Sequence, residues 1–291
     1  MNRISIIKPI LSELLTRKPI LRIPEPELIM ENEEQVIAFD QAGQSQGPID
    51  PVYLFSAIQI TRTIQGSKNV LDLGCGSAQL LSRMAQANPT SQFTGVDLSD
   101  KMLTFSKALL NEKKITNVNL IKSDMTRLDG FVDHSFDAVY SSLALHHLPD
   151  EKSLESFFIQ LVRVLKPGGK FVLFDYSLLK SKSSLEYLLL RGGLHHSKVY
   201  IDDTFNSMQA AFPTKLYQEL AKKYFSTPME FHSAFLFPFM FVLSSKKAEL
   251  TESQLLYFKS IYSHFNHDLK NNYKDIVMLF CLSGLKTPKL K

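Results

Sequence analysis

The chain has 291 residues, 44% of them hydrophobic and 21% charged, enough for one large α/β domain with additions or for two small ones. Its 33 basic and 29 acidic residues leave a formal net charge of +4, without the blocks of like charge that a nucleic-acid surface carries, so nucleic acid is disfavoured as a partner. Two cysteines far apart in sequence, neither in a C-x-x-C pair, exclude a disulfide scaffold, argue against structural zinc and fit a reducing cytoplasmic setting.

Met1 to Leu21 is basic and partly apolar, but Pro9, Glu13 and Pro19 interrupt it, and it lacks the continuous apolar core of a secretory leader. From Asn69 onward, short aliphatic runs alternate with helical stretches, the pattern of a parallel sheet covered by helices. Asn69–Leu73 predicts a buried strand running into Gly74-Cys75-Gly76, with Ser77 as the N-cap of a helix to about Ala87. Gln92–Asp97 predicts the second strand. Ser99 then caps a helix whose Met102, Leu103, Phe105, Leu109 and Leu110 recur at helical spacing.

Asn119–Ser123 and Phe136–Tyr140 predict the third and fourth strands. A helix from about Asp150 to Leu165 follows, ended by Lys166-Pro-Gly-Gly169, because proline cannot continue the ladder and glycine tolerates positive φ. Lys170–Phe174 predicts the fifth strand, and Glu230–His232 with Phe239–Leu243 a final antiparallel pair. The most apolar run, Phe235 to Leu243, is far short of the roughly 18 residues a membrane span needs. The fold expected is therefore α/β: a Rossmann-like seven-stranded sheet, mostly parallel with an antiparallel final strand, with helices on both faces.

Three parts lie outside the alternation. Residues 1–66 are expected to form an N-terminal helical lid. Residues 67–248 are expected to be the sheet domain, with a lid insert at about 177–227. Residues 249–291 read as a C-terminal helical extension, whose Leu255, Leu256, Phe258, Ile261, Tyr262 and Phe265 would form either a dimer face or a satellite core.

A glycine pair at a strand-to-helix turn lets a ligand approach the backbone, though such turns use glycine for many purposes. Asp97 ends the next strand at about the 20-residue interval at which an acid binds a ribose diol. Its plainer role would be helix capping beside Ser99. The loop lacks the third glycine of a dinucleotide site, and Asp72 just ahead of it would repel a pyrophosphate but attract an ammonium group. A cofactor with ammonium and sulfonium charges fits better than NAD.

Taken in order, Val70-Leu-Asp-Leu-Gly-Cys-Gly-Ser77, Val96-Asp-Leu-Ser99, Ser123-Asp-Met125, Phe136-Asp-Ala-Val-Tyr-Ser-Ser-Leu-Ala-Leu-His-His-Leu148 and Leu161-x-Arg-x-Leu-Lys-Pro-Gly-Gly169 resemble the successive motifs of class I S-adenosylmethionine (SAM) dependent methyltransferases, of the small-molecule, ubiquinone-biosynthesis-like type. The resemblance covers about 69–175. It implies SAM as cofactor and, position by position, these roles. Gly74, Cys75 and Gly76 line the methionine and ribose side by backbone. Asp72 attracts the amino group through water, and Asp97 holds the ribose hydroxyls. Leu98 and Met102 lie against adenine, Asp124 and the Met125 amide meet its edge, and Ser141 lies near the methionine end. Met102 could equally be plain helix core, and Cys75 is expected to serve by its size.

The resemblance also implies a methyl acceptor beyond the fourth strand, an oxygen or nitrogen of a small molecule or peptide. His146 and His147 are the candidate bases, or else a structural helix start. Phe39 and Tyr53, with Phe55, stand in the lid position as a shield for the reacting centre or as ordinary packing. His195 and His196 are candidate acceptor-pocket residues; a metal held by them and Asp202 is disfavoured, and no metal is expected. A protein or RNA methyltransferase, or a SAM-binding regulatory protein without transfer, are the alternative functions.

Overall fold

The computed structural model describes residues 7–17, 20–27, 29–193 and 198–290. Its centre is a seven-stranded sheet in the order β3-β2-β1-β4-β5-β7-β6. The strands are β1 (Asn69–Leu73), β2 (Gln92–Asp97), β3 (Val118–Lys122), β4 (Phe136–Ser142), β5 (Leu165–Tyr176), β6 (Met229–Ser233) and β7 (Met240–Ser245). β1 to β5 are parallel, and β7 runs antiparallel to both of its neighbours, β5 and β6. The expected fold is found. Strand order reverses between β1 and β4, which opens a crevice at the carboxyl edge, where ligands of open α/β sheets bind.

Alternate residues along each strand enter opposite layers, as a pleated backbone requires. Val70, Tyr140, Val172 and Phe174 face one core; Leu71, Val139, Phe171 and Leu173 face the other. The first core is covered by α3 (Asp50–Ile64), α4 (Gln79–Ala87) and α5 (Asp100–Glu112), with α10 (Glu252–His264) and α11 (His267–Leu282) packed on α3. The second is covered by α6 (Glu151–Val164) and α9 (Thr214–Tyr224). Over the carboxyl edge lie α1 (Ile7–Leu15), α2 (Glu33–Gly43), α7 (Lys182–Gly193) and α8 (Lys198–Ala210), the last against a 3-10 turn at Leu145–His147.

Several local expectations are corrected. Ser77 does not cap α4. Ala78, at φ +61°, occupies the N-cap position, and the Ser77 hydroxyl is buried without a partner among the described residues. Side-chain capping needs an extended residue before the helix, and the left-handed entry through Gly76 and Ala78 removes it. Lys166–Gly169 does not precede β5 but bulges within it, as pairing jumps from Phe136↔Leu165 to Ala138↔Lys170. Phe55 is core packing, with its ring centroid 4.7 Å from that of Phe280 and 5.9 Å from that of Phe174.

α3 is buried along nearly its whole length and lies directly on the sheet. The apolar residues of the C-terminal helices join the same core through Phe258, Tyr262, Tyr273, Ile276 and Phe280. Among the described residues no helix is long and apolar enough to cross a membrane.

Candidate active site

The turn after β1 is stitched to β2. The Gly74 and Cys75 amides donate to the Val96 carbonyl at 2.8 and 2.9 Å, and the Gly76 amide donates to Asp97 Oδ2 at 2.8 Å. Gly74 has φ +81°, and a Cβ built on it would stand 2.4 Å from the Ala144 methyl. At Gly76 an added Cβ would meet the Phe39 ring at 3.3 Å. Side chains here would fill the space over the turn. Asp97 Oδ1 accepts from the Ser99 amide at 2.9 Å, so Asp97 supports the loop before α5 while Ser99 itself caps α5. Burial raises the Asp97 pKa, against the pull of the Ser99 and Gly76 amides.

Gly74, Gly76, Asp97, Leu98, Met102, Asp124 and Met125 line a single cavity at the carboxyl edge, and Phe39 and His147 join them. Its empty volume is about 980 Å³, counted to the open mouth, within the range of small-molecule sites. Asp124 is set by Thr126, whose amide and hydroxyl both donate to Oδ1 at 2.7 Å. Ile29, Met30, Ser123, Leu143 and Ala144 complete walls that sequence reasoning missed.

The other expected cofactor residues lie behind this wall. Asp72 is 3% exposed and pairs in register with Tyr140 of β4. Burial lifts its carboxyl to about 8; the Tyr140 hydroxyl opposes the rise and Asp97 adds to it. Cys75 is buried, and burial together with Asp72 and Asp97 pushes its thiol up, which suits a packing role. The Ser141 hydroxyl donates to the Leu73 carbonyl at 2.7 Å and joins β4 to β1. Tyr53 is buried in α3 with the Arg83 guanidinium 5.8 Å from its ring centroid, outside the cavity. His195 and His196 lie outside the described residues, and Asp202 is exposed.

A strap precedes α2 and crosses the carboxyl edge. Arg22 anchors it, donating to the carbonyls of Ala210 and Pro149 at 2.7 Å each and to those of Leu148 and His146, with its guanidinium 3.7 Å from the Phe212 ring centroid. At the far end the Ser99 hydroxyl donates to the Met30 carbonyl at 2.9 Å. Between these anchors Glu25 meets the histidines. Its Oε2 lies 2.7 Å from His147 Nδ1, and its Oε1 accepts from the Ser207 hydroxyl at 2.7 Å. His146 is 2% exposed. Its Nδ1 is 2.6 Å from Asp175, which also accepts from the Leu145 amide.

Burial works against ionised Glu25, but the hydrogen bond and charge of His147, with His146, hold its carboxyl at about 2. Burial lowers the His147 pKa, yet the same bond to Glu25 leaves it raised overall. Asp203 of α8 faces the group, and burial and Glu25 raise its carboxyl to about 6. Glu25, His146 and His147 also bring one donor atom each within 4.8 Å of one another, close enough to hold a metal ion. The signal for Asp175 was available, since it is an acid at the carboxyl end of a strand. Nothing in Pro24-Glu-Pro26 pointed to Glu25.

A second cavity, of about 890 Å³ counted likewise, lies beyond the histidines between α3, α8 and α11. Pro48, Tyr176, Tyr200, Met208, Met240 and Ile276 are among its walls.

The strand order, with the glycine turn and the acids at the ends of β2 and β3 gathered at its carboxyl edge, is a Rossmann-like arrangement. Residues 71–173 match the family described as "Methyltransferase domain". The demethylmenaquinone methyltransferase of Listeria welshimeri is 36% identical over 115 residues, covering 39% of this chain and 47% of that protein. The chain thus spans about half the length of the curated relatives it matches. Among solved structures, the plantazolicin methyltransferase BamL, in complex with a triazolic desmethylPZN analog and SAH, aligns over 95% of this chain and 90% of its own at 16% identity and TM-score 0.55. The PH0226 protein of Pyrococcus horikoshii OT3 aligns over 76% and 95% at 20% identity and TM-score 0.51. At such identities the likeness is one of fold.

The residues present fit SAM. The turn leaves open the space a Cβ would fill, Asp97 offers carboxylate oxygens to a diol, and Asp124 lines the same cavity with a carboxylate for an amino-bearing ring.

Proposed function

We propose that the protein transfers the methyl group of SAM to an oxygen or nitrogen of a small molecule or peptide. The observation that carries this is the convergence of Gly74, Gly76, Asp97 and Asp124 on one cavity that His147 also lines. When bound, SAM supplies an electrophilic methyl group on a positively charged sulfur. Gly74 and Gly76 would carry the methionine and ribose side by backbone, and Asp97 the hydroxyls. Leu98 and Met102 would flank the adenine ring, with Asp124 and the Met125 amide at its edge. Asp72, Cys75 and Ser141 would act from behind, shaping the turn and its field.

Orientation and exclusion of water are the protein's main contributions to such a displacement. Phe39 and the strap residues Ile29 and Met30 would supply the cover, so the lid is proposed as residues 20–43 and not the whole N-terminal part. With that methyl group as the electrophile, the acceptor's proton would leave toward Glu25–His147. His147 can take it only when its imidazole is neutral. His146, clamped by Asp175 and out of the cavity, acts as a positioning residue. Glu25 and His147 satisfy each other directly, and no metal enters the proposal.

The names of the relatives support a small-molecule or peptide acceptor. The proposed setting is the cytoplasm. A second copy would pair through the exposed Leu256, Met278 and Leu282 of the C-terminal helices. Transfer of labelled methyl from SAM into fractionated cell extract tests the function. A labelled small molecule or peptide is expected; label in RNA or intact protein only, or none in any fraction, contradicts it.

A further inference from the structure

We propose that the second cavity holds the methyl acceptor, and that this acceptor is an uncharged, largely apolar molecule presenting one hydroxyl or amine toward Tyr176 and the histidines. The inference rests on the methyl-transfer reading above.

One helix faces both places. Tyr200, Thr204 and Met208 of α8 line the cavity. Asp203 and Ser207, on the neighbouring stripe of the same helix, face Glu25 and the histidines. Residues four apart share a helix face, so the two stripes bring the cavity and the histidine group into adjacent positions by construction. Tyr176 is a second link, since it lines the cavity while its ring centroid lies 5.2 Å from that of His146.

The walls select the guest. Phe237, Met240 and Ile276 are typical of them, and the lining contains no lysine or arginine. A carboxylate or phosphate would lose its hydration there without a cation to meet it. The one lining side chain with a full charge is Asp275, which has an interaction partner of its own. Moreover, every residue that lines this cavity lies outside 71–173, the segment matching the methyltransferase family. The second chamber is built from α3, α7, α8 and α11 with the ends of β5 and β7.

Equilibrium dialysis of the intact chain with naphthol and with naphthoate, in saturating SAH, tests this. Naphthol should bind at least tenfold more tightly than naphthoate and should not be displaced by SAH. Met208→Trp and Leu188→Trp, which fill the cavity from α8 and α7, should each weaken naphthol at least tenfold and leave SAH affinity within about twofold. Having two variants on separate helices, each checked by thermal unfolding, guards against simple misfolding. Naphthol that fails to bind while SAH binds, that ignores both substitutions, that SAH displaces, or that naphthoate equals would overturn the assignment. Failure of SAH itself to bind would instead sink the methyl-transfer reading.

Discussion

The Asp97 carboxylate accepts the Gly76 amide hydrogen at 2.8 Å, so the acid at the end of β2 also holds the turn at the end of β1. With Oδ1 on the Ser99 amide, one side chain fixes the two loops between which a nucleoside would lie. Position and chemistry are therefore coupled, because removing the acid loosens the cradle as well as the diol contact.

Asp97→Ala should raise the dissociation constant for SAH by about 10- to 100-fold, since hydrogen bonds to a charged group are worth about 1.5–3 kcal/mol. Asp97→Asn, which keeps one acceptor oxygen, should fall between this variant and the parent. Calorimetric titration reads both. Equal affinities in all three proteins would mean that the carboxylate does not touch the ligand.

Gly74→Ala should cost about 1–3 kcal/mol of stability and abolish detectable SAH binding, because its Cβ would drive into Ala144. Gly66→Ala is the control. Gly66 has φ +79° with nothing within 4 Å of an added Cβ, so the backbone strain should appear in denaturant unfolding while SAH affinity stays near the parent value.

The buried Asp72 should make stability pH-dependent. Its folded pKa of about 8 lies above the ordinary carboxyl value of 3.8. The stabilisation is therefore complete below the lower value and is lost as pH rises through the upper one. Asp72→Asn should match the parent in acid and exceed it in denaturant resistance at pH 8 and above. The ammonium group of SAH favours the ionised carboxyl, so parent affinity should rise with pH toward 8 and that of the variant should stay flat.

The strap should respond to pH through the Glu25–His147 pair. Glu25 is depressed to about 2, so its contribution is present above 4.5 and is lost as pH falls toward 2. His147 is raised above 6.5, so its contribution is full below that value and fades as pH climbs through its folded pKa. Amide protection factors in residues 20–27, with exchange corrected for its intrinsic pH dependence, should thus be highest between 4.5 and 6.5 and fall on the alkaline side. Glu25→Gln should exchange fast throughout. If the protection factors do not depend on pH in the parent, the pair does not hold the strap.

The sheet was legible because apolar runs bounded by glycine and proline leave little freedom about where strands begin, and β1 and β2 fall on the expected residues. The wall of the first cavity was legible for a related reason, since Gly74, Gly76, Asp97 and Asp124 stand at strand ends, where the fold exposes its chemistry. Asp72 and Ser141 show the limit. Their motif was recognised, but whether a strand residue faces the ligand or the layer behind depends on register and alternation. The strap was illegible. Arg22 and Glu25 sit between prolines without periodicity, and only long-range contacts with Leu148, His147 and Ser207 give them a role. Tyr53 and Phe55, in the lid position that the resemblance implies, could have been either a shield or ordinary packing. α3 lies on the sheet, so both rings are buried in the core.

Titration of the intact chain with SAH, followed by NAD, tests the central claim most directly. A single saturable SAH site with no NAD binding is the expected result. Heat from NAD with none from SAH or SAM would contradict the account.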